Sequence, residues 1–241
     1  MTSQLSISSP HGAVGENELS VPLKVARWVQ NHIETEQLGP GDALPSQRDI
    51  CALLSVSRPS VREGVSMLET LGLIRVEQRR GLFVAEPERR RPMDYWPNNE
   101  GYSLHDVYQF RAKFEPAALA LAYGNMDDGV VARLRLSAEA LTEAAQKGDA
   151  VAAAEQDTLF HDLIFESCGN ELYKDMRQHM AKLIQDSQWV PMVIIECVAD
   201  TAREHGQIVA AILDKDCSAA CAALEAHIIS AARRCDIDLK L

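Results

Sequence analysis

Four residues in the C-terminal half have the donor types of a divalent-metal site. In the run DTLFHDLIF, Asp157 and His161 are one helical turn apart and share a face, with Phe160 and Ile164 as apolar neighbours. His205 lies in AREHGQIVAAIL, whose apolar positions are Ile208, Val209 and Ile212. His227 lies in LEAHIISAA between Leu224 and Ile228, on the next helix, so the two later histidines can face each other across an antiparallel pair. One carboxylate and three imidazoles suit a borderline ion, Zn²⁺ first, with Ni²⁺ or Mn²⁺ as alternatives. Each histidine alone is equally a hydrogen-bonded, half-buried side chain, so the residues leave both readings open. In QFRAKFEPAALALA, Arg111 and Glu115 are also four apart. One outcome is a helix ion pair of a few tenths of a kcal/mol. The other is an inward Arg111 whose planar fork takes the carboxylate of a small organic acid.

A second set of residues is built to meet a polyanion. Arg58 and Arg62, four apart, project from the start of a helix with Ser57 and Ser60 beside them. The elements around them come in order. Ser46 and Asp49 open a helix with an apolar face of Ile50, Leu53 and Leu54, which must end near Ser55-Val56. Ser57 caps the next helix and Pro59 sits in its first turn. Val61, Val65, Leu68 and Leu71 form its buried stripe, and Gly72 suits a left-handed stop. Leu73–Val76 and Leu82–Val84 then flank the tip Gln78-Arg79-Arg80-Gly81 as two short strands. Helix, tight turn, helix and wing make a sequence-specific binder of double-stranded DNA. The N-terminal residues of the second helix reach base edges in the major groove, where arginine reads guanine. Arg48, Arg79 and Arg80 are placed for phosphate or minor-groove contact. A merely solvated charged face would not require all these signals to agree.

The 241 residues are enough for two domains. Residues 1–18, rich in Ser and Gly, form a flexible tail without the basic start and apolar core of a signal peptide. Residues 19–85 make the winged head. Residues 86–103, with three prolines and the run Arg89-Arg90-Arg91, make a linker. Residues 104–241 are helical throughout, with apolar 3.6-residue periodicity in 106–123, 129–147, 150–167, 172–186, 198–213 and 216–235. The fold class is therefore mostly α: a winged helix-turn-helix and an antiparallel bundle of six or seven helices. The net charge of −11 is uneven. Residues 19–91 hold 11 Lys+Arg against 9 Asp+Glu, a net +2, while residues 92–241 carry −11. So small an excess implies two copies on one DNA site. No apolar run approaches 18 residues, which argues against a membrane span, and six cysteines without a Cys-x-x-Cys pair imply reduced thiols and a cytoplasmic protein.

The run LPSQRDICALLSVSRPSVREGVSMLETLGLIRV resembles the winged helix-turn-helix of GntR-type bacterial regulators. FRAKFEP, DTLFHDLI, EHGQIVAAI and AHI are similar to the all-helical ligand domain of the FadR subfamily. The resemblance implies a homodimer on a palindromic operator, a repressor (an activator being the alternative) released by a small carboxylic acid such as a hydroxy acid, dicarboxylate or sugar acid. It implies that Arg48, Arg58 and Arg62 contact DNA, helped by Ser57 and Ser60, with Gly81 at the wing tip. It implies Asp157, His161, His205 and His227 as metal ligands and Arg111 as the arginine on the effector. The family wing has two glycines at its tip, whereas Arg79 stands at the first of these positions and Leu82 replaces a usual Thr. The short linker implies that an extra helix of some relatives is missing. A metalloenzyme is the rival class, since such a donor set can activate water. No extra base accompanies the cluster, and an enzyme has no use for the winged head. An architectural DNA-binding protein would need neither metal nor effector.

Overall fold

The computed structural model describes residues 20–86, 91–97 and 101–240. The expected tail, residues 1–18, and Arg89 and Arg90 of the linker lie outside the described residues. Arg91 is described and pairs with Asp94 at 3.2 Å.

The head comprises α1 (Val21–Thr35), α2 (Gln47–Leu54), α3 (Arg58–Thr70), β1 (Ile74–Glu77) and β2 (Gly81–Val84). The first of these was not read from the sequence. Its signals are local: Ser20 accepts from the Leu23 N–H, Pro22 occupies the first turn, and Leu23, Val25, Ala26 and Val29 are buried. The helix lies against α3 so closely that a Cβ on Gly64 would stand 2.6 Å from the Pro22 carbonyl oxygen and 2.8 Å from Val25 Cβ. Ser46 caps α2 by accepting from the Asp49 N–H, and Ser55, at φ +54°, ends it. Ser57 caps α3 by accepting from the Ser60 N–H at 3.3 Å. The predicted stripe Val61, Val65, Leu68 and Leu71 is buried together with Ile50, Ile74 and Leu82. Leu53 departs from the expectation and is 63% exposed. Helix α2 is only eight residues long and leans mainly on α3, so its buried edge narrows to Ile50 with Leu54 half-buried.

The wing strands are antiparallel, Ile74 opposite Val84 and Glu77 opposite Gly81. Closing so short a turn requires a left-handed residue, and Arg79 supplies it at φ +64°, with Gly81 at φ +124°. The arginine standing where the family pattern has glycine thus adopts the glycine's conformation.

The bundle is α4 (Leu104–Tyr123), α5 (Asp128–Lys147), α6 (Ala150–Ser167), α7 (Glu171–His179), α8 (Ala181–Trp189), α9 (Ile195–Leu213) and α10 (Cys217–Arg234). Ser103, Asp127, Asp149, Asn170 and Asp216 each cap the following helix with a side-chain oxygen. The single helix expected over 172–186 is two helices, broken at Met180 (φ −101°, ψ 13°). No Gly or Pro marks the break. Its consequence is that the mostly solvent-facing α7 gives way to a helix with Ile184, Ser187, Gln188 and Trp189 all buried. The linker contributes one 3-10 turn, Pro92–Tyr95, and no further helix among the described residues.

One apolar core fills the bundle around Tyr108, Leu119, Phe160, Ile164, Ile208, Leu224 and Ile228. A second runs from the head into the near end of the bundle, where Leu141, Val151, Trp189 and Met192 join Val25, Val65 and Leu68. Two polar links cross the same junction: an Arg27–Glu155 ion pair and a Gln30 Nε2–Asp149 Oδ1 hydrogen bond of 3.0 Å. Among the described residues no helix is long and apolar enough to cross a membrane.

Candidate metal centre and nucleic-acid interface

Three bundle helices bring the four predicted donors together. Asp157 and His161 come from α6, His205 from α9 and His227 from α10, and one ligand atom from each lies within 4.8 Å of the others. All four side chains are buried. His205 and His227 do face each other, with ring centroids 4.8 Å apart. Phe160 stacks on His205 at 4.2 Å and holds the ring from one side.

Carboxylates outside the cluster fix two of the rings. Glu115 Oε2 lies 2.5 Å from His161 Nδ1, and Glu204 Oε2 lies 2.8 Å from His227 Nδ1. With Nδ1–H donated outward, Nε2 of each ring is left as the ligating nitrogen. His161 Nε2 and both nitrogens of His205 are buried without a hydrogen-bond partner. His205 Nε2 stands 3.2 Å from Asp157 Oδ1, off the line of a hydrogen bond, and His161 Nε2 stands 4.0 Å from the same oxygen. Orphaned imidazole nitrogens converging on one carboxylate are expensive unless something binds them. A divalent cation fits that description, because the donor set is the three-nitrogen, one-oxygen type such ions take.

The protonation states agree. Burial alone would raise the Asp157 carboxyl, but His205, His161 and His227 outweigh it and hold it at about 2. Burial pushes His205 down to about 4 and lowers His227 as well, against the pull of Glu204. Near neutral pH Asp157 is therefore ionised while His205 and His227 are neutral, the states in which they ligate metal.

For Arg111 the ion pair and the inward placement occur together. It is an ion pair, with Nε 2.5 Å from Glu115 Oε1, and it is also fully inside the bundle. Its Nη1 donates to Ser187 Oγ at 3.1 Å, which leaves Nη2 without a hydrogen bond among the described residues. Glu115 thus spans Arg111 and the candidate ligand His161. Burial would raise its carboxyl, but Arg111 and His161 together hold it well below the usual carboxylate range. Glu204 plays a parallel part, accepting also from Ser230 and Arg234. Reading the sequence missed Glu204 and Ser187 and saw Glu115 only as a partner of Arg111. Glu204 directly precedes His205, but nothing in that spacing says it serves His227 on the neighbouring helix.

At the other end of the molecule Arg48, Arg58 and Arg62 are exposed and form no ion pair with a described residue. Ser57 Oγ lies 2.9 Å from Ser60 Oγ at the start of α3. Arg79 is exposed, whereas Arg80 pairs with Glu77 and lies over the Phe83 ring at 5.4 Å.

Residues 106–230, more than half the chain, match the family described as FCD domain. Residues 22–84 match the family described as bacterial regulatory proteins, gntR family. The chain belongs to the GntR family and carries an FCD domain. It is a DNA-binding transcriptional regulator and not an enzyme, and such regulators bind DNA operators, typically as dimers. It is similar to the HTH-type transcriptional repressor NanR of Citrobacter rodentium (strain ICC168), 29% identical over 90% of this chain and 88% of that one. It is equally similar to the NanR repressor of Escherichia coli (strain K12), 29% identical over 95% of this chain and 91% of that one. Its fold is shared with a GntR transcriptional regulator from Rhodococcus sp. RHA1, with a TM-score of 0.50 and 19% identity over 88% of this chain and 96% of the other.

Proposed function

We propose that this GntR regulator is a homodimeric cytoplasmic repressor, released from a palindromic operator when a small carboxylic acid enters the metal-bearing bundle. The observation that carries the ligand side is the buried set of Asp157, His161, His205 and His227, in which His161 Nε2 and both His205 ring nitrogens have no hydrogen-bond partner among the described residues. Zn²⁺ suits this set first, with Ni²⁺ and Mn²⁺ as alternatives. A bound divalent ion would supply Lewis acidity toward an anionic oxygen donor. Arg111 would attract the carboxylate beside it through Nη2, while Glu115 and Ser187 hold the guanidinium in place. Repression is supported by the similarity to NanR repressors.

On the DNA side, Arg58 and Arg62 would read bases from the N-terminal turn of α3, with Ser57 and Ser60 on neighbouring phosphates or bases. Arg48, Arg79, Arg80 and the Gly81 turn would meet the backbone or minor groove. A second copy would be held along α4 and α7. Leu121, Leu172 and Met176 are exposed there, beside the stacked rings of Phe114 and Tyr173 (centroids 5.0 Å).

The test has two arms. Metal-loaded protein is used to select operators from random duplexes, and Arg58→Ala is expected to lose that selectivity while keeping its fold. The operator complex is then titrated with small carboxylates. Release by at least one of them is expected, and operator affinity unmoved by every acid would refute the ligand-responsive reading.

A further inference from the structure

We infer that Gln188 is a specificity residue for the effector, and that the effector carries a hydroxyl or amide group in addition to its carboxylate. The inference rests on the carboxylate-effector reading of the bundle. Gln188 is only 3% exposed, and neither its amide oxygen nor its amide nitrogen has a hydrogen-bond partner. A primary amide offers two donors and two acceptor lone pairs, so every one of its bonds is unmade among the described residues. Burying such a group is unfavourable unless a polar partner meets it.

The neighbours on α8 say where the amide points. Ser187 faces α4, donating from Oγ to the Ile184 carbonyl and accepting from Arg111 Nη1 at 3.1 Å; its own carbonyl accepts from Tyr108 Oη at 2.7 Å. Trp189 faces α6, donating from Nε1 to the Ala154 carbonyl at 3.1 Å and to Thr158 Oγ1 at 2.9 Å. Successive helical residues are ~100° apart, so Ser187 and Trp189 point to nearly opposite sides of α8 and Gln188 projects midway along the wider arc between them. Ile184, one turn earlier on the same stripe, is fully buried, so this side of α8 is covered. The adjacent Ser187 holds Arg111, whose partner Glu115 also holds His161, so the amide stands one residue from the chain of contacts that reaches the candidate metal ligands.

An amide placed there adds a second kind of recognition. Arg111 and a metal ion answer a carboxylate's charge. A fork with one donor end and one acceptor end answers a group that both donates and accepts, which is a hydroxyl or an amide. A site with such a buried amide should reject acids lacking that group, because the amide is then left unpaired.

The experiment compares paired acids by calorimetry on metal-loaded, full-length protein: lactate with propionate, malate with succinate, gluconate with hexanoate. Wild-type protein is expected to favour at least one hydroxy acid over its deoxy partner by about tenfold or more. Gln188→Met and Gln188→Leu are both made, so that a packing defect in one does not decide the outcome. Each is expected to bring the ratio within about threefold, to bind the deoxy partner no more weakly than wild type does, and to melt no lower than wild type. Acids that bind with the same ratio in wild type and variants would overturn this inference alone. Failure of every acid to bind wild-type protein would remove the carboxylate reading, and this one with it.

Discussion

Replacing Glu115 by glutamine changes one oxygen into NH₂, and the local geometry dictates how the neighbours must respond. The two carboxylate oxygens are divided between two donors, Oε1 on Arg111 Nε and Oε2 on His161 Nδ1, each at 2.5 Å. A glutamine has a single oxygen, so one donor must face N–H. Turning the oxygen to Arg111 is favoured, because the alternative leaves a buried guanidinium wholly uncompensated. The amide NH₂ then points at His161 Nδ1, which can only accept from it. A neutral imidazole has one N–H, so its proton moves to Nε2, the nitrogen the metal requires. The loss of such a ring-orienting partner costs about 10–100-fold in metal affinity, or about 1.4–2.7 kcal/mol. The charge deficit at Arg111 adds a separate loss of about 3–5 kcal/mol in the unfolding free energy of the metal-free protein. Competition titration against a chromophoric chelator measures the first quantity, and urea denaturation of the stripped protein measures the second. Metal affinity within threefold of wild type would refute the tautomer argument. Unchanged stability of the stripped protein would refute the buried pair.

Further outcomes test the remaining parts. Stripping metal from wild-type protein should lower its melting temperature, and His205→Ala with His227→Ala should abolish both bound metal in elemental analysis and that difference; full occupancy in the double variant would sink the site. Metal-free protein should lose stability on acidification. Burial depresses His205 to about 4 from an unfolded value near 6.5, so the unfolded chain binds the extra proton between these values. That contribution is full above pH 6.5, falls as pH drops towards 4, and amounts to about 3 kcal/mol, checked by urea midpoints at stepped pH. Arg79→Gly should stabilise the head by about 1 kcal/mol by relieving the left-handed arginine, and should make operator affinity less salt-dependent by about one charge. Gly64→Ala should destabilise the head by about 1–3 kcal/mol, since the new methyl meets the Pro22 carbonyl and Val25.

What the sequence carried well was anything encoded within one turn of helix or one tight loop. Ser46, Ser57 and Pro59 mark helix starts by local hydrogen-bond chemistry, and Asp157 with His161 share a face because of a fixed period. The meeting of α6, α9 and α10 at one point was legible only because each donor sat on an apolar stripe and so had to turn inward. Positions that depend on a partner far along the chain were not legible. Glu204 serves His227 from the preceding helix, and Ser187 reaches Arg111 across 76 residues. The break at Met180 has no local cause, and the burial of Gln188 depends on where α8 lies after it. Leu53 fits an amphipathic pattern, yet a short helix that leans mainly on one neighbour has little second surface to cover it.

The contacts also indicate which elements can carry a signal between the two domains. Coupling needs a structural element whose position both sites bias. Helix α6 holds Asp157 and His161, and its first turns touch the head through Glu155 on Arg27 and Asp149 on Gln30. Helix α8 holds Ser187 on Arg111, and two residues later Trp189 enters the core that continues into α3. Helix α6 therefore runs from the head to the ligand side, while the C-terminal end of α8 touches both. An acid bound at Arg111 Nη2 would pull on the guanidinium that Ser187 and Glu115 hold, so binding would act on α8 directly and on α6 through His161. Because packed cores switch between discrete arrangements and do not deform continuously, a small shift of these helices can move the head as a unit. A differential of about 1–3 kcal/mol between two head positions is enough to change operator affinity some 5–150-fold. The arginines proposed to read DNA would need no contact with the effector for this to work; they would need only to sit on a head whose seat includes α6 and α8.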